Sequence, residues 1–347
     1  MPLTPPAGTA ATTTRDTRRP AGATTPTSTP RRALRAVAVI ACLPYLTLKV
    51  LWVAGSHLGI PDGSGLLEHR LRTAAAHGAS VLMDACVIVL ALLLTRPWGL
   101  RVKAWLLAVP MWLATGLLAP VMTGYPLQLL VRAVRGAGVR PPAHSDRAVF
   151  LHEWVFAVVY TGFIVQGIAL GALFVLYARD RWAPLWRGPL GDLPAGAVPR
   201  VSRAAAVAVA ALSLLAAVTH SLWATGSVVG LAPAMAEGRG ADEYVLEAVF
   251  AAFTLPAAAG VLMIAFGLGR SLPLRLPLAL AWLGSGATAC WGGWLWLSSG
   301  VFGGPAADRP TALMILTYAV QMIAGLTVLA LGARFLAARS RHAGGRP

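Results

Sequence analysis

Leu34-Arg-Ala-Val-Ala-Val-Ile-Ala-Cys-Leu-Pro-Tyr-Leu-Thr-Leu-Lys-Val-Leu-Trp-Val-Ala-Gly55 is the stretch that sets the fold class. Crossing a bilayer as a helix takes about 20 mostly apolar residues, and this run supplies them without a break. In lipid, only a helix satisfies the backbone polar groups of so continuous a segment. Seven further runs of this kind follow, so the spans fall at roughly 34–55, 77–97, 102–123, 149–177, 202–226, 245–268, 275–299 and 311–335. The expected fold is all-α: a polytopic bundle of eight transmembrane helices.

The end of the first run has an echo. Lys49-Val-Leu-Trp-Val-Ala-Gly-Ser-His-Leu-Gly-Ile60 matches His220-Ser-Leu-Trp-Ala-Thr-Gly-Ser-Val-Val-Gly-Leu231 at Leu51/Leu222, Trp52/Trp223, Gly55/Gly226, Ser56/Ser227 and Gly59/Gly230. Arg96 and Arg101, between runs two and three, correspond to Arg270 and Arg275 between runs six and seven. Leu170-Gly-Ala-Leu-Phe174 with Arg179 and Arg181 corresponds to Leu331-Gly-Ala-Arg-Phe335 with Arg339 and Arg341. Tryptophan matches are rarer by chance than leucine or glycine matches, so the Leu-Trp-x-x-Gly-Ser pair weighs most. A four-helix unit repeated in parallel is the expected organisation, its pseudo-two-fold lying along the membrane normal. The expected divisions are a disordered cytoplasmic tail at 1–33, a first unit at 34–180, a cytoplasmic linker at 181–201, a second unit at 202–338 and a short tail at 339–347.

Composition agrees. The chain is 57% hydrophobic and 12% charged, with a mean hydropathy of +0.67, more apolar surface than a soluble domain buries. The net charge of +16 sits in the loops between apolar runs, which marks membrane sidedness rather than a nucleic-acid surface. With a cytoplasmic N-terminus, 20 basic residues fall on the cytoplasmic side and 8 on the other, leaving Lys49 within a span. Both termini are therefore expected in the cytoplasm and the protein in the plasma membrane. The 3–4 loop, with Arg132, Arg135, Arg140 and Arg147, runs against this bias. In it, Pro126–Arg135 reads either as a short amphipathic helix at the outer interface or as an irregular loop. Cys42, Cys86 and Cys290 lie inside apolar runs without a C-x-x-C pair, so neither metal nor disulfide chemistry is expected, and no cofactor motif is present.

Ionisable residues within spans are costly, about 2.5–3.5 kcal/mol near the centre, and mark candidate sites. Lys49 in the first span and Asp84 in the second lie at similar depth, about 9 and 10 Å from the outer edge at 1.5 Å per residue. They are expected to form an ion pair, either lining an outward-facing polar cavity or clamping two helices. His220 in the fifth span has the depth of Lys49, but the position 171 residues after Asp84 is Leu255, so no equivalent carboxylate is expected from the sixth. Glu247 follows Asp242 and Glu243 and reads as a solvated helix start favoured by the N-terminal dipole. His152 and Glu153 open the fourth span like a zinc-protease helix, yet Phe156 occupies the second histidine position, so no metal site is expected. Gln166 and Gln321 are mid-span and suited to interhelical bonds. Ser285, between Gly284 and Gly286, has no histidine at matching depth. Trp291, Trp294 and Trp296 fit an interfacial aromatic belt.

The segment Leu43-Pro-Tyr-Leu-Thr-Leu-Lys-Val-Leu-Trp-Val-Ala-Gly-Ser-His-Leu-Gly59 resembles one found in an uncharacterised family of multi-pass integral membrane proteins of high-GC actinobacteria. The resemblance covers the first span and its exit. It implies a plasma-membrane location and no particular activity.

Three functions fit these residues. The leading expectation is binding or transport of a small solute at a polar site in the outer third, built from Lys49, Asp84, His220, Glu153 and His152. The alternative is a non-catalytic accessory or scaffold protein, partnered by another membrane protein or by a second copy of itself. The third is a membrane enzyme acting on lipid or cell-wall precursors. The bilayer is the one partner that composition requires.

Overall fold

A computed structural model describes residues 29–62, 64, 70–135, 151–194, 196–237, 239–301 and 309–344. The tail expected to be disordered lies outside the described residues up to position 28, as do Arg140, Arg147 and the last three residues. The long helices are α1 (Thr29–Val53), α2 (Arg70–Thr95), α3 (Ala104–Arg135), α4 (Glu153–Trp186), α5 (Arg200–Ala224), α6 (Ala241–Phe266), α7 (Arg275–Val301) and α8 (Ala312–Gly344). Among the described residues there is no strand, only an isolated bridge between Pro189 and Pro273. Six of the helices, α1, α3, α4, α5, α6 and α8, are long and apolar enough to cross a membrane. This is the architecture of a multi-pass membrane protein. The end of the bundle that holds the start of α1 and the end of α8 is called the inner end, after the orientation expected from the basic residues, and the opposite end the outer one.

In the first half α1 packs on α2 and α4, and α4 on α3; in the second α5 packs on α6 and α8, and α7 lies against both α6 and α8. The halves meet where α3 crosses α7 and α6. Small residues permit close approach at this seam and within the second half. A Cβ on Gly116 of α3 would strike the backbone of Gly286 in α7, and one on Gly284 would strike Ala257 of α6. A Cβ on Gly292 would come within 2.8 Å of the α8 backbone at Tyr318 and Met322. Close contact through glycine and alanine is how membrane helices gain packing without a hydrophobic drive between them. It also accounts for Ser285, which is buried at this seam, donates to the Trp282 carbonyl (3.2 Å) and accepts from Trp112 Nε1 of α3 (3.0 Å).

The repeated Leu-Trp-x-x-Gly-Ser segments fold into matching turns. Trp52 Nε1 donates to the Leu58 carbonyl at 2.7 Å, and Trp223 Nε1 to the Val229 carbonyl at 3.0 Å. The Ser56 hydroxyl accepts from the amide of Leu58 (3.2 Å), and Ser227 from that of Val229 (3.3 Å). Gly55 and Gly226 take φ of 91° and 100°, and Gly59 and Gly230 take 78° and 74°. Left-handed backbone of this kind explains the four glycines. Each second glycine also abuts the helix that closes its half. Gly59 offers its carbonyl to the His152 amide at 3.0 Å, and Gly230 offers its own to the Thr311 hydroxyl.

One segment departs from expectation. Pro126–Arg135 is neither a separate interfacial helix nor a loop; it continues α3 without a break. The reason is contact with α6: Gln128 Nε2 donates to the Asp242 carbonyl (3.1 Å), and Arg132, one turn on, binds the Asp242 carboxylate. Between α4 and α5, the amides of Leu190 and Gly191 bond to the carbonyls of Leu272 and Arg270 at 2.8 Å in the turn before α7.

Candidate functional site

His220 lies one turn before the end of α5 and is 1% exposed. Its Nδ1 is 2.5 Å from Glu247 Oε2 on α6, and its Nε2 is 2.8 Å from Gln321 Nε2 on α8. Three helices of the second half therefore converge on one imidazole. His220 engages Glu247 through one ring nitrogen and the Gln321 amide through the other. Trp223 meets the ring edge-on at 5.3 Å between centroids, and Phe250 covers it at 5.5 Å. Phe250 contacts Trp291 of α7 in turn, whose Nε1 donates to the Leu117 carbonyl of α3 at 3.2 Å. The centre is thus tied to the seam between the halves.

Arg239 closes the cluster from the α5–α6 connection. Its Nη2 donates to the Trp223 carbonyl at 3.2 Å, lies 3.9 Å from Glu247 Oε1, and its guanidinium sits over the Tyr244 ring at 5.3 Å. The Glu247 side chain is 15% exposed. This corrects two expectations: Glu247 is not a solvated helix start, and His220 does have a carboxylate from the sixth helix. α6 begins at Ala241, which sets Glu247 nearly two turns inside the helix, level with His220. A fixed offset of 171 residues pointed past it to Leu255.

In the first half, Lys49 holds the corresponding position, one turn before the end of α1. Lys49 and Asp84 are both buried, at 7% and 4% exposure, on packed helices, within electrostatic reach of each other. The Lys49 ammonium also lies 4.8 Å from the Tyr45 ring centre and 5.3 Å from that of Trp52. α2 starts at Arg70, so Asp84 sits near the middle of its helix. The two centres do not merge. Lys49 and Asp84 belong to the side of the seam formed by α1 and α2, and His220 to the side formed by α5, α6 and α8.

His152 and Glu153 are exposed at the start of α4 and belong to neither centre. Gln166 is buried on α4. Among the described residues, no three His, Cys, Asp or Glu side chains gather as a metal site requires. Sequence reasoning missed Arg239, whose loop position hid it; the signal was its place between two glutamates and beside the repeated Trp223 turn.

One property unites the centres. Among the described residues, four buried side-chain polar atoms have no hydrogen-bond partner: Asp84 Oδ2, Arg239 Nε, Gln321 Oε1 and Ser213 Oγ. Three of the four belong to these two centres. Buried polar atoms are nearly always bonded, so both donor and acceptor capacity is left over where the charges collect. No family model, curated protein or solved structure matches this chain. Function has to be argued from the residues themselves.

Proposed function

We propose that this is a plasma-membrane protein of eight transmembrane helices, built as two parallel four-helix units with both termini in the cytoplasm. We read its function as binding a small polar solute, or carrying one across, at the His220 and Lys49 centres. The observation that carries this reading is the unused hydrogen-bonding capacity of Gln321 Oε1, Arg239 Nε and Asp84 Oδ2. A solute with both donor and acceptor groups complements it. The matched turns at Trp52 and Trp223 support the repeat, and repeat-built membrane proteins hold their sites beside the repeat interface. The basic-residue bias supports the orientation. The local resemblance of residues 43–59 to actinobacterial membrane proteins supports the location.

The test is solvent access. A single cysteine at Gln321, in a chain with Cys42, Cys86 and Cys290 replaced, is exposed to a membrane-impermeant maleimide on whole cells and on inverted vesicles. Labelling from the outer face supports a binding or transport site. Protection from both faces in every condition removes that reading and leaves the alternative of a static scaffold, favoured by the direct His220–Glu247–Gln321 contacts.

A further inference from the structure

A cleft of about 2200 Å³ opens at the inner end of the bundle, between α3 and α4 on one side and α5 to α8 on the other. Its walls are apolar, with Trp105, Trp112, Trp182 and Trp282 among them. Along α7 it runs from Arg275 at the helix start to Ser285, ten residues or about 15 Å at the helical rise. That is half of a hydrocarbon core of about 30 Å, the depth of one leaflet. The mouth is basic. Arg179, Arg187, Arg275, Arg334 and Arg341 all border it and all are exposed. The one acidic side chain on the lining, Asp180, is already engaged by Arg31 at 2.5 Å. Other arginines nearby are bonded to the protein: Arg181 to the Val102 carbonyl and Arg339 to the Leu185 carbonyl. The five at the mouth make no such bond among the described residues.

We propose that this cleft is a binding site for an anionic phospholipid of the inner leaflet, with acyl chains against the tryptophan-lined walls and the phosphate among the mouth arginines. Depth selects a lipid over a free anion, because a phosphate alone leaves the apolar walls unfilled. Charge selects the headgroup, because a zwitterionic lipid gains little from five cations with no free counter-charge. Guanidinium groups suit a phosphate geometrically as well, since they donate in pairs.

Tryptophan fluorescence reads the occupant directly. The full chain is reconstituted in phosphatidylcholine vesicles doped with a small, equal share of either brominated phosphatidylglycerol or brominated phosphatidylcholine. The anionic quencher is expected to act at lower mole fraction, by about fivefold for each arginine that engages it. Replacing Arg275, Arg334 and Arg341 together by Gln is expected to cut that preference at least about fivefold while leaving quenching by brominated phosphatidylcholine unchanged. Equal quenching of the wild-type protein by both lipids overturns the proposal, whatever the variant does. So does loss of the anionic preference on adding millimolar inorganic phosphate, which identifies a free-anion site. A dimer by light scattering in which neither lipid quenches assigns the cleft to a second copy of the chain, and also overturns it.

Discussion

His220 and Glu247 meet across α5 and α6 at 2.5 Å, with Gln321 of α8 on the other ring nitrogen and Arg239 near the second carboxylate oxygen. The arrangement makes one imidazole the junction of three helices. Its contribution is measurable as coupling. His220→Ala and Glu247→Ala each leave a polar partner buried and unbonded, which costs about 1–3 kcal/mol or more where charge is involved. The double variant is expected to lose less than the sum, with a coupling energy of about 0.5–3 kcal/mol. Thermal unfolding in detergent, read by intrinsic fluorescence on all three variants, checks this. Additive losses would mean that the contact contributes nothing.

Trp52 and Trp223 close equivalent turns through the same indole bond. Phenylalanine keeps most of the packing and removes the donor. Trp52→Phe and Trp223→Phe are each expected to cost about 0.5–1.5 kcal/mol, the net worth of an ordinary hydrogen bond. Similar losses in the two, seen as similar drops in Tm, are what equivalent turns require. A harmless change in one and a large loss in the other would show that the turns share a shape but not a structural duty.

Much of this was legible in the chain. Apolar length and continuity locate the helices, because lipid leaves the backbone no other way to bond. The Trp52 and Trp223 turns were visible because tryptophan and left-handed glycine are both hard to replace there. Helix ends were less legible. Arg70–Ala76 is too polar to count as membrane-spanning and is helical all the same, so α2 begins about two turns before the apolar run. Glu247 was misread for a related reason: an acidic run at a helix start looks solvated, and its pairing depends on the phase of α6 against α5. Phase between helices is a tertiary quantity with no local signature. Pro126–Arg135 shows the same limit, its helix being held by Asp242 from another part of the chain.

The seam between the halves rests on the absence of side chains at Gly116 and Gly286. Gly116→Val adds bulk against the Gly286 backbone, where nothing flexible can yield. Overpacking of this kind costs about 1–3 kcal/mol. Cys290→Ala, at the same seam and smaller rather than larger, is the matched control. Size-exclusion profiles of the two variants should diverge: Gly116→Val broadened or aggregated, Cys290→Ala close to wild type. A monodisperse Gly116→Val protein with unchanged Tm would mean that α3 and α7 are free to separate.

The first half sets a sharper problem, because Lys49 and Asp84 are buried groups of opposite sign on packed helices. Their mutual field offsets part of the desolvation each incurs, so removing either one strands the other. Lys49→Met and Asp84→Asn are each expected to destabilise by about 3–5 kcal/mol, the usual result of leaving one buried charge uncompensated. The double variant removes both desolvation penalties at once and should recover most of the loss, or exceed wild type. Stability therefore argues against retaining the charges as a brace. If Lys49→Met/Asp84→Asn is as stable as wild type by thermal unfolding but no longer admits a maleimide to a cysteine at position 321, the pair serves access to the site. If both properties survive, neither charge is needed for folding or for opening, and the solute-binding role falls to the His220 centre alone.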